Sequence, residues 1–146
     1  MKQLLYLKDE QLKEFIEKIF IGYRETFSDA KKVLDEHDIG IAHQKVLHLL
    51  SLYKGITISD LLRKLKVTKQ SLNRVLRDLI KTRMIRQIQD EKDTRKKNLY
   101  LDKEGKIFFN TVYNSQKRRI FNALKSSSSD SVIKFKNVLK KIIDGK

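Results

Sequence analysis

A stretch of the chain, TKQSLNRVLRDLIK, carries Lys69, Gln70, Asn73, Arg74 and Arg77, side chains with an evident chemistry in common. On a helix, Gln70, Asn73, Arg74 and Arg77 share one stripe with Lys69 beside it. These are long side chains able to donate hydrogen bonds to base edges and to phosphates. A solvated helix face usually mixes acids with its bases, and here only Asp78 interrupts, near the end. Leu72, Val75, Leu76, Leu79 and Ile80 form the opposite stripe, which is expected to be buried.

A second unusual stretch is DEKDTRKKNLYLD, residues 90–102, where seven of the first eight residues are charged and an apolar alternation follows. MIRQIQ (84–89) and KNLYL (97–101) favour β structure, so the charged DEKDTRK is expected at the tip of a hairpin.

Other chemistries find little support. His37, His43 and His48 lack a paired i, i+4 spacing, and with no cysteine in the chain they read as ordinary surface histidines rather than metal ligands. The absence of cysteine also excludes disulfides and thiol redox sensing. There is no nucleophile elbow, P-loop, HExxH or plausible carboxylate pair, so an enzyme is not expected. No catalytic, metal or cofactor-binding residue is assigned.

The elements around these stretches position them. Apolar residues at steps of three and four from Leu12 to Leu34 predict one long amphipathic helix, ended by HDIG with Gly40 as the break. Ala42, Val46, Leu49, Leu50 and Tyr53 mark a second helix, closed by Lys54 and Gly55. TISDLLRKLKV is a short third helix, with Thr57 or Ser59 as its cap, and Thr68 caps the helix that carries the polar stripe. After the hairpin, Asp102 is expected to cap a helix through Phe108, Val112, Ile120, Phe121 and Leu124. Beyond the polar linker KSSSSDS, a last helix mixes Val132, Ile133, Phe135, Val138, Leu139, Ile142 and Ile143 with lysines. The reading is one domain over 1–146, mainly α with a small β-hairpin.

Charge supports a polyanionic partner. The net charge is +15, and it is unevenly spread: residues 1–56 hold nine basic and nine acidic side chains, 57–100 thirteen and five, and 101–146 eleven and four. A neutral first third joined to a basic remainder suits a surface that meets phosphates and releases counterions. No apolar run approaches the ~20 residues of a membrane span, and the N-terminus lacks a signal-peptide pattern, so a cytoplasmic protein is the simplest expectation.

Helix, tight turn, helix and hairpin in this order form a winged helix-turn-helix, and from about Asp38 to Gly105 the chain resembles the MarR family of transcriptional regulators. The family's wing pattern has Asp, two residues, Asp, a basic residue, Arg, three residues, an aliphatic alternation, Leu-Thr, and Gly three beyond the Thr. Here Asp90, Asp93, Thr94, Arg95, Leu99, Leu101, Asp102 and Gly105 stand in that register. Thr94 replaces the usual basic residue and Asp102 the usual Thr. AHQKVLHLL and LKVTKQSLNRVLRDL are similar to the family's PetP-like branch. Lys66 stands at the frequent turn glycine and Arg83 at the glycine common after the recognition helix. A left-handed backbone at either would cost about 1 kcal/mol. Both replacements are cationic, which offers added phosphate contacts as another reason for them.

The resemblance implies long N- and C-terminal dimerisation helices (1–40 and 102–146) around a winged lobe (about 41–101), and a homodimer. The long apolar stripes of the terminal helices agree, and they favour dimerisation over membrane-surface or calmodulin-type binding of the last helix. The recognition-helix candidates become Thr68, Lys69, Gln70, Ser71, Asn73, Arg74 and Arg77. Gln70 and Asn73 can pair with adenine, and Arg74 or Arg77 with guanine or phosphate. Arg95 is expected in the minor groove, held by Asp93, with Lys96 and Lys97 supplying diffuse charge.

The expected function is sequence-specific binding of double-stranded DNA by a homodimer on a pseudo-palindromic operator. Half-sites should lie roughly one helical turn, ~10 bp, apart. Steric repression is the expected mechanism, and activation is equally compatible with the contacts. A small-molecule effector of unknown identity fits the family. Tyr23, His43 and Tyr113 are candidates for its pocket, but simple core or interface aromatics are the preferred reading. The alternative is a non-specific architectural or RNA-binding protein that uses the same basic face.

Overall fold

The computed structural model describes residues 4–145, so the extreme ends of the 1–146 span lie outside the described residues. After a 3-10 turn at Leu5–Leu7 come α1 (Asp9–Ser28), α2 (Lys31–Glu36), α3 (Ile41–Leu52), β1 (Ile56–Thr57), α4 (Ile58–Leu65) and α5 (Lys69–Lys81). Then follow β2 (Ile85–Gln89), β3 (Lys97–Leu101), α6 (Lys103–Lys125) and α7 (Ser129–Asp144). The chain divides into two compact units, Ala30–Asn114, here called the lobe, and Met1–Asp29 with Ser115–Lys146.

The lobe has a closed core. Val46, Leu47 and Leu50 of α3, Leu61 of α4, Leu72 and Leu79 of α5, Leu99 of β3 and Val112 of α6 are all buried, and Ala30 and Leu34 join them. Turn chemistry defines the short helices. The Thr57 hydroxyl accepts the Asp60 N–H at 3.2 Å, and Thr68 accepts the Ser71 N–H at 3.1 Å. Of the two caps offered for α4, the structure uses Thr57.

The sheet is antiparallel in the order β1-β3-β2. The β2/β3 hairpin runs from Ile85 opposite Leu101 to Gln89 opposite Lys97, in agreement with the predicted wing. The third strand was not anticipated. Ile56 pairs with Leu99 and Thr57 with Asn98, and two residues are too few to show a period-2 pattern. Gly55, at φ 82°, turns the chain into that pairing, where its N–H donates to the Leu99 carbonyl.

Three local expectations are corrected. The predicted helix from Leu12 to Leu34 is two helices. Ala30 leaves helical geometry at φ −98°, ψ 1°, and is fully buried in the lobe core together with Leu34. Core burial thus outweighs the intact hydrogen-bond ladder, and a single irregular turn hardly disturbs the apolar periodicity. The turn after α2 belongs to Asp38, at φ 52°, while Gly40 is extended and forms the N-cap of α3. Asp102 does precede α6, but its carboxylate accepts only the N–H of the adjacent Lys103, at 2.9 Å.

Gly105 occupies its register for a steric reason. The Asp102 N–H donates to the Met84 carbonyl at 2.8 Å, which draws the first turn of α6 onto the wing base. A Cβ at Gly105 would overlap that carbonyl oxygen.

The other unit contrasts with the lobe. Among its described residues none that is apolar is buried, and Gln116 is its one buried side chain, donating to the Thr26 carbonyl at 2.9 Å. Arg119 forks onto both carboxylate oxygens of Asp29, at 2.7 and 3.0 Å.

Candidate nucleic-acid interface

α5 separates its two faces cleanly. Leu72, Val75, Leu76 and Leu79 point into the lobe core, while Lys69, Gln70, Asn73, Arg74 and Arg77 are exposed. Ile80, assigned above to the buried stripe, is 41 % exposed. It lines a groove of about 540 Å³ with Gln70, Asn73, Arg74 and Arg77, Ile58 of α4 and Gln87 of β2. Sequence reasoning missed Ile58, Ile80 and Gln87. Gln87 lies two residues from buried Ile85, on the same side of the strand, and its polar type gave no sign that it would line a groove with α5.

Thr68 and Ser71 are engaged with each other. The Thr68 hydroxyl accepts the Ser71 N–H and donates to the Ser71 hydroxyl at 2.8 Å. Asp78, the one acid that interrupts the basic face, lies 2.9 Å from His43 Nε2. His43 Nδ1 accepts the Gly40 N–H at 3.3 Å, so the ring must carry its proton on Nε2 and donate it to Asp78. One imidazole thereby ties the start of α3 to the back half of α5 and occupies the carboxylate.

The wing tip is built from short-range hydrogen bonds. Asp90 N–H donates to the Lys96 carbonyl at 3.0 Å, and Lys96 N–H to the Asp93 carbonyl at 2.9 Å. Gln89 Nε2 donates to the Thr94 carbonyl at 2.7 Å. Asp93 Oδ1 accepts both the Arg95 N–H, at 3.1 Å, and Arg95 Nε, at 3.3 Å. The guanidinium is held at its inner nitrogen while the side chain stays 90 % exposed. Among the described residues its two outer nitrogens take no hydrogen-bond partner. Lys96 and Lys97 are exposed beside it.

The histidines have separate partners: His37 lies against the Val33 carbonyl and the Phe108 ring, His43 against Asp78, and His48 edge-on to Phe109. Partial desolvation holds the His48 pKa below its ordinary value. Among the described residues no three His, Cys, Asp or Glu side chains gather as a metal site. Of the residues raised for a ligand pocket, Tyr113 lines an open cavity of about 680 Å³ with His48, Tyr100 and Phe109, and His43 and Tyr23 are not in its lining. No described helix is long and apolar enough to cross a membrane.

A groove-sized basic helix capped at Thr68, with a flanking hairpin that presents an arginine, defines a DNA-binding winged helix-turn-helix protein. The MarR family model matches residues 37–96. The chain is 36 % identical over 141 residues to the HTH-type transcriptional regulator PetP of Rhodobacter capsulatus, a match that covers 97 % of this chain and 85 % of that protein. The chain belongs to the MarR family of DNA-binding transcriptional regulators. Solved structures share its fold. S. aureus MepR in its DNA-binding conformation superposes with a TM-score of 0.81 at 21 % identity, over 90 % of this chain and 97 % of that one. A MarR-family regulator from Silicibacter pomeroyi gives 0.77 at 17 % identity, over 99 % and 96 %.

Proposed function

We propose that two copies of the chain form a homodimer through residues 1–40 and 102–146, and bind a pseudo-palindromic DNA operator with one winged lobe per half-site. In this reading α5 enters the major groove. Gln70, Asn73, Arg74 and Arg77 meet bases or phosphates there, and Lys69 meets the backbone. Arg95 enters the adjacent minor groove in the orientation set by Asp93, with Lys96 and Lys97 adding charge. Occupying a promoter in this way would repress by exclusion.

The observation that carries the reading is the pairing of an exposed α5 face, basic but for Asp78, with an arginine that among the described residues is tied at one nitrogen only. Two relatives of the same fold offer precedent for the partner. An E. coli MarR variant was solved with operator DNA, and an S. aureus MepR variant with an oligodeoxyribonucleotide.

Selection of bound fragments from genomic DNA, followed by footprinting, tests the proposal. A symmetric footprint with half-sites roughly 10 bp apart on one DNA face is expected. Equal affinity for the recovered fragment and for random duplex at fixed salt would favour the architectural alternative. On the recovered fragment, Arg95→Ala should weaken binding at least ~10-fold, since it deletes both the charge and the minor-groove fork. A near-wild-type gel-shift titration would remove Arg95 from the interface.

A further inference from the structure

Among the described residues, three other than glycine adopt left-handed backbone conformations: Asp38 and Lys66 at φ 52°, and Arg83 at φ 62°. Aspartate enters this region comparatively readily, whereas lysine and arginine do not. The backbone role of Lys66 is ordinary. It ends α4, with its N–H donating to the Leu62 carbonyl, and glycine would do this with less strain. Its side chain gives the fold nothing visible in return. It is exposed and, among the described residues, meets neither an acid nor an aromatic ring. Asp60 pairs with Arg63, and Lys64 lies over the Tyr53 ring at 4.3 Å.

What distinguishes Lys66 from Arg83 is position. Lys66 lies in the turn between α4 and α5, two residues before the cap Thr68, at the end of α5 that carries Lys69 and Gln70. Arg83 follows the other end of the helix, which at 13 residues is about 20 Å long. It adjoins Met84, whose carbonyl is bound to Asp102 at the base of the wing, away from the tip. In a helix-turn-helix the first helix crosses the sugar–phosphate strand and the start of the second enters the groove, so the turn between them rides over phosphates.

We propose that Lys66 is a DNA phosphate contact, and that a cation occupies this glycine-favouring turn for the sake of that contact. The inference rests on reading α5 as the helix that faces DNA. An ammonium on a flexible stem suits the task, since it meets phosphate as a point charge without fixed geometry.

The test compares Lys66→Gly with Arg83→Gly, which relieve the same kind of strain and remove the same charge. Binding to a labelled random-sequence 30-bp duplex is measured across a salt series, beside thermal unfolding of each full-length protein. Lys66→Gly should bind at least ~3-fold more weakly at low salt, with a log K against log salt slope shallower by roughly 0.9 per bound protomer. Its thermal midpoint should be unchanged or higher. Lys66→Arg should restore both affinity and slope, and Arg83→Gly should leave both as in the wild type.

A wild-type slope for Lys66→Gly would overturn the proposal. So would an equal loss in Arg83→Gly, which would make the effect one of net charge, or a fall in midpoint that tracks the affinity, which would make the lysine structural. Failure of the wild type to bind the duplex at all would instead overturn the reading of α5 on which the proposal stands.

Discussion

The two units of this chain solve opposite problems. The lobe folds around its own core: all 19 buried apolar side chains among the described residues fall between Ala30 and Val112. In the other unit, Phe20 of α1 is 58 % exposed and Ile143 of α7 is 77 % exposed, with similarly bare neighbours along both helices. Apolar surface on that scale marks an interaction site rather than a monomer's ordinary exterior. The lesson is that amphipathic periodicity has two meanings. In α5 it describes packing within the chain, and in α1 and α7 it describes surface that needs another molecule.

Breaking the exposed stripes should have the largest effect. Phe20→Asp places a charge where the proposed dimer buries a ring, and should raise the dimer dissociation constant at least ~100-fold. Sedimentation would show a monomer with the lobe's helical signal retained, and operator binding lost with the second half-site contact. Persistence of the dimer would mean that α1 is not in the interface.

Next in size is a cavity in the lobe. Leu61 is fully buried, and Leu61→Ala should cost about 2–5 kcal/mol of unfolding stability, read from the denaturant midpoint. The same truncation at Leu12, 42 % exposed, should matter only where the dimer forms, so its effect should grow with protein concentration. Equal effects at both sites would erase the distinction between the units.

The smallest expected effect concerns the polar tie of the terminal unit. The hydrogen bond from Arg119 holds the Asp29 carboxyl below its ordinary pKa. The folded state thus releases this proton more readily than the unfolded chain. The stabilisation is complete above the ordinary carboxylate value of about 4 and is lost as pH falls through and below it. Arg119→Met should flatten that part of the pH–stability profile. An unaltered acid limb would show that the pair contributes nothing at its partly exposed position.

Much of the candidate interface was legible because local chemistry encodes it. Threonine caps at Thr57 and Thr68, the stripe of Gln70, Asn73, Arg74 and Arg77, and the register from Asp90 to Gly105 are each set within a few residues. The Asp93–Arg95 tie spans only two. The missed features come from contacts distant in sequence. Ile80 was assigned to the core because periodicity does not say where the stripe meets the groove. The His43–Asp78 link joins residues 35 apart, and the β1 pairing brings Ile56 to Leu99.

By itself, then, the sequence determined the helix-turn-helix, the wing, the basic exposed face of α5 and the need of the terminal stripes for cover, because propensity, capping and charge act over one or two turns. The tertiary structure decided where the first long apolar stripe breaks, since burying Ala30 and Leu34 in the lobe outweighs one continuous helix. It decided that Asp78 accepts a hydrogen bond from His43, a partner 35 residues away. It also decided that Lys66 and Arg83 are left-handed, because turns closed against a packed core impose φ values that neither residue would choose in isolation.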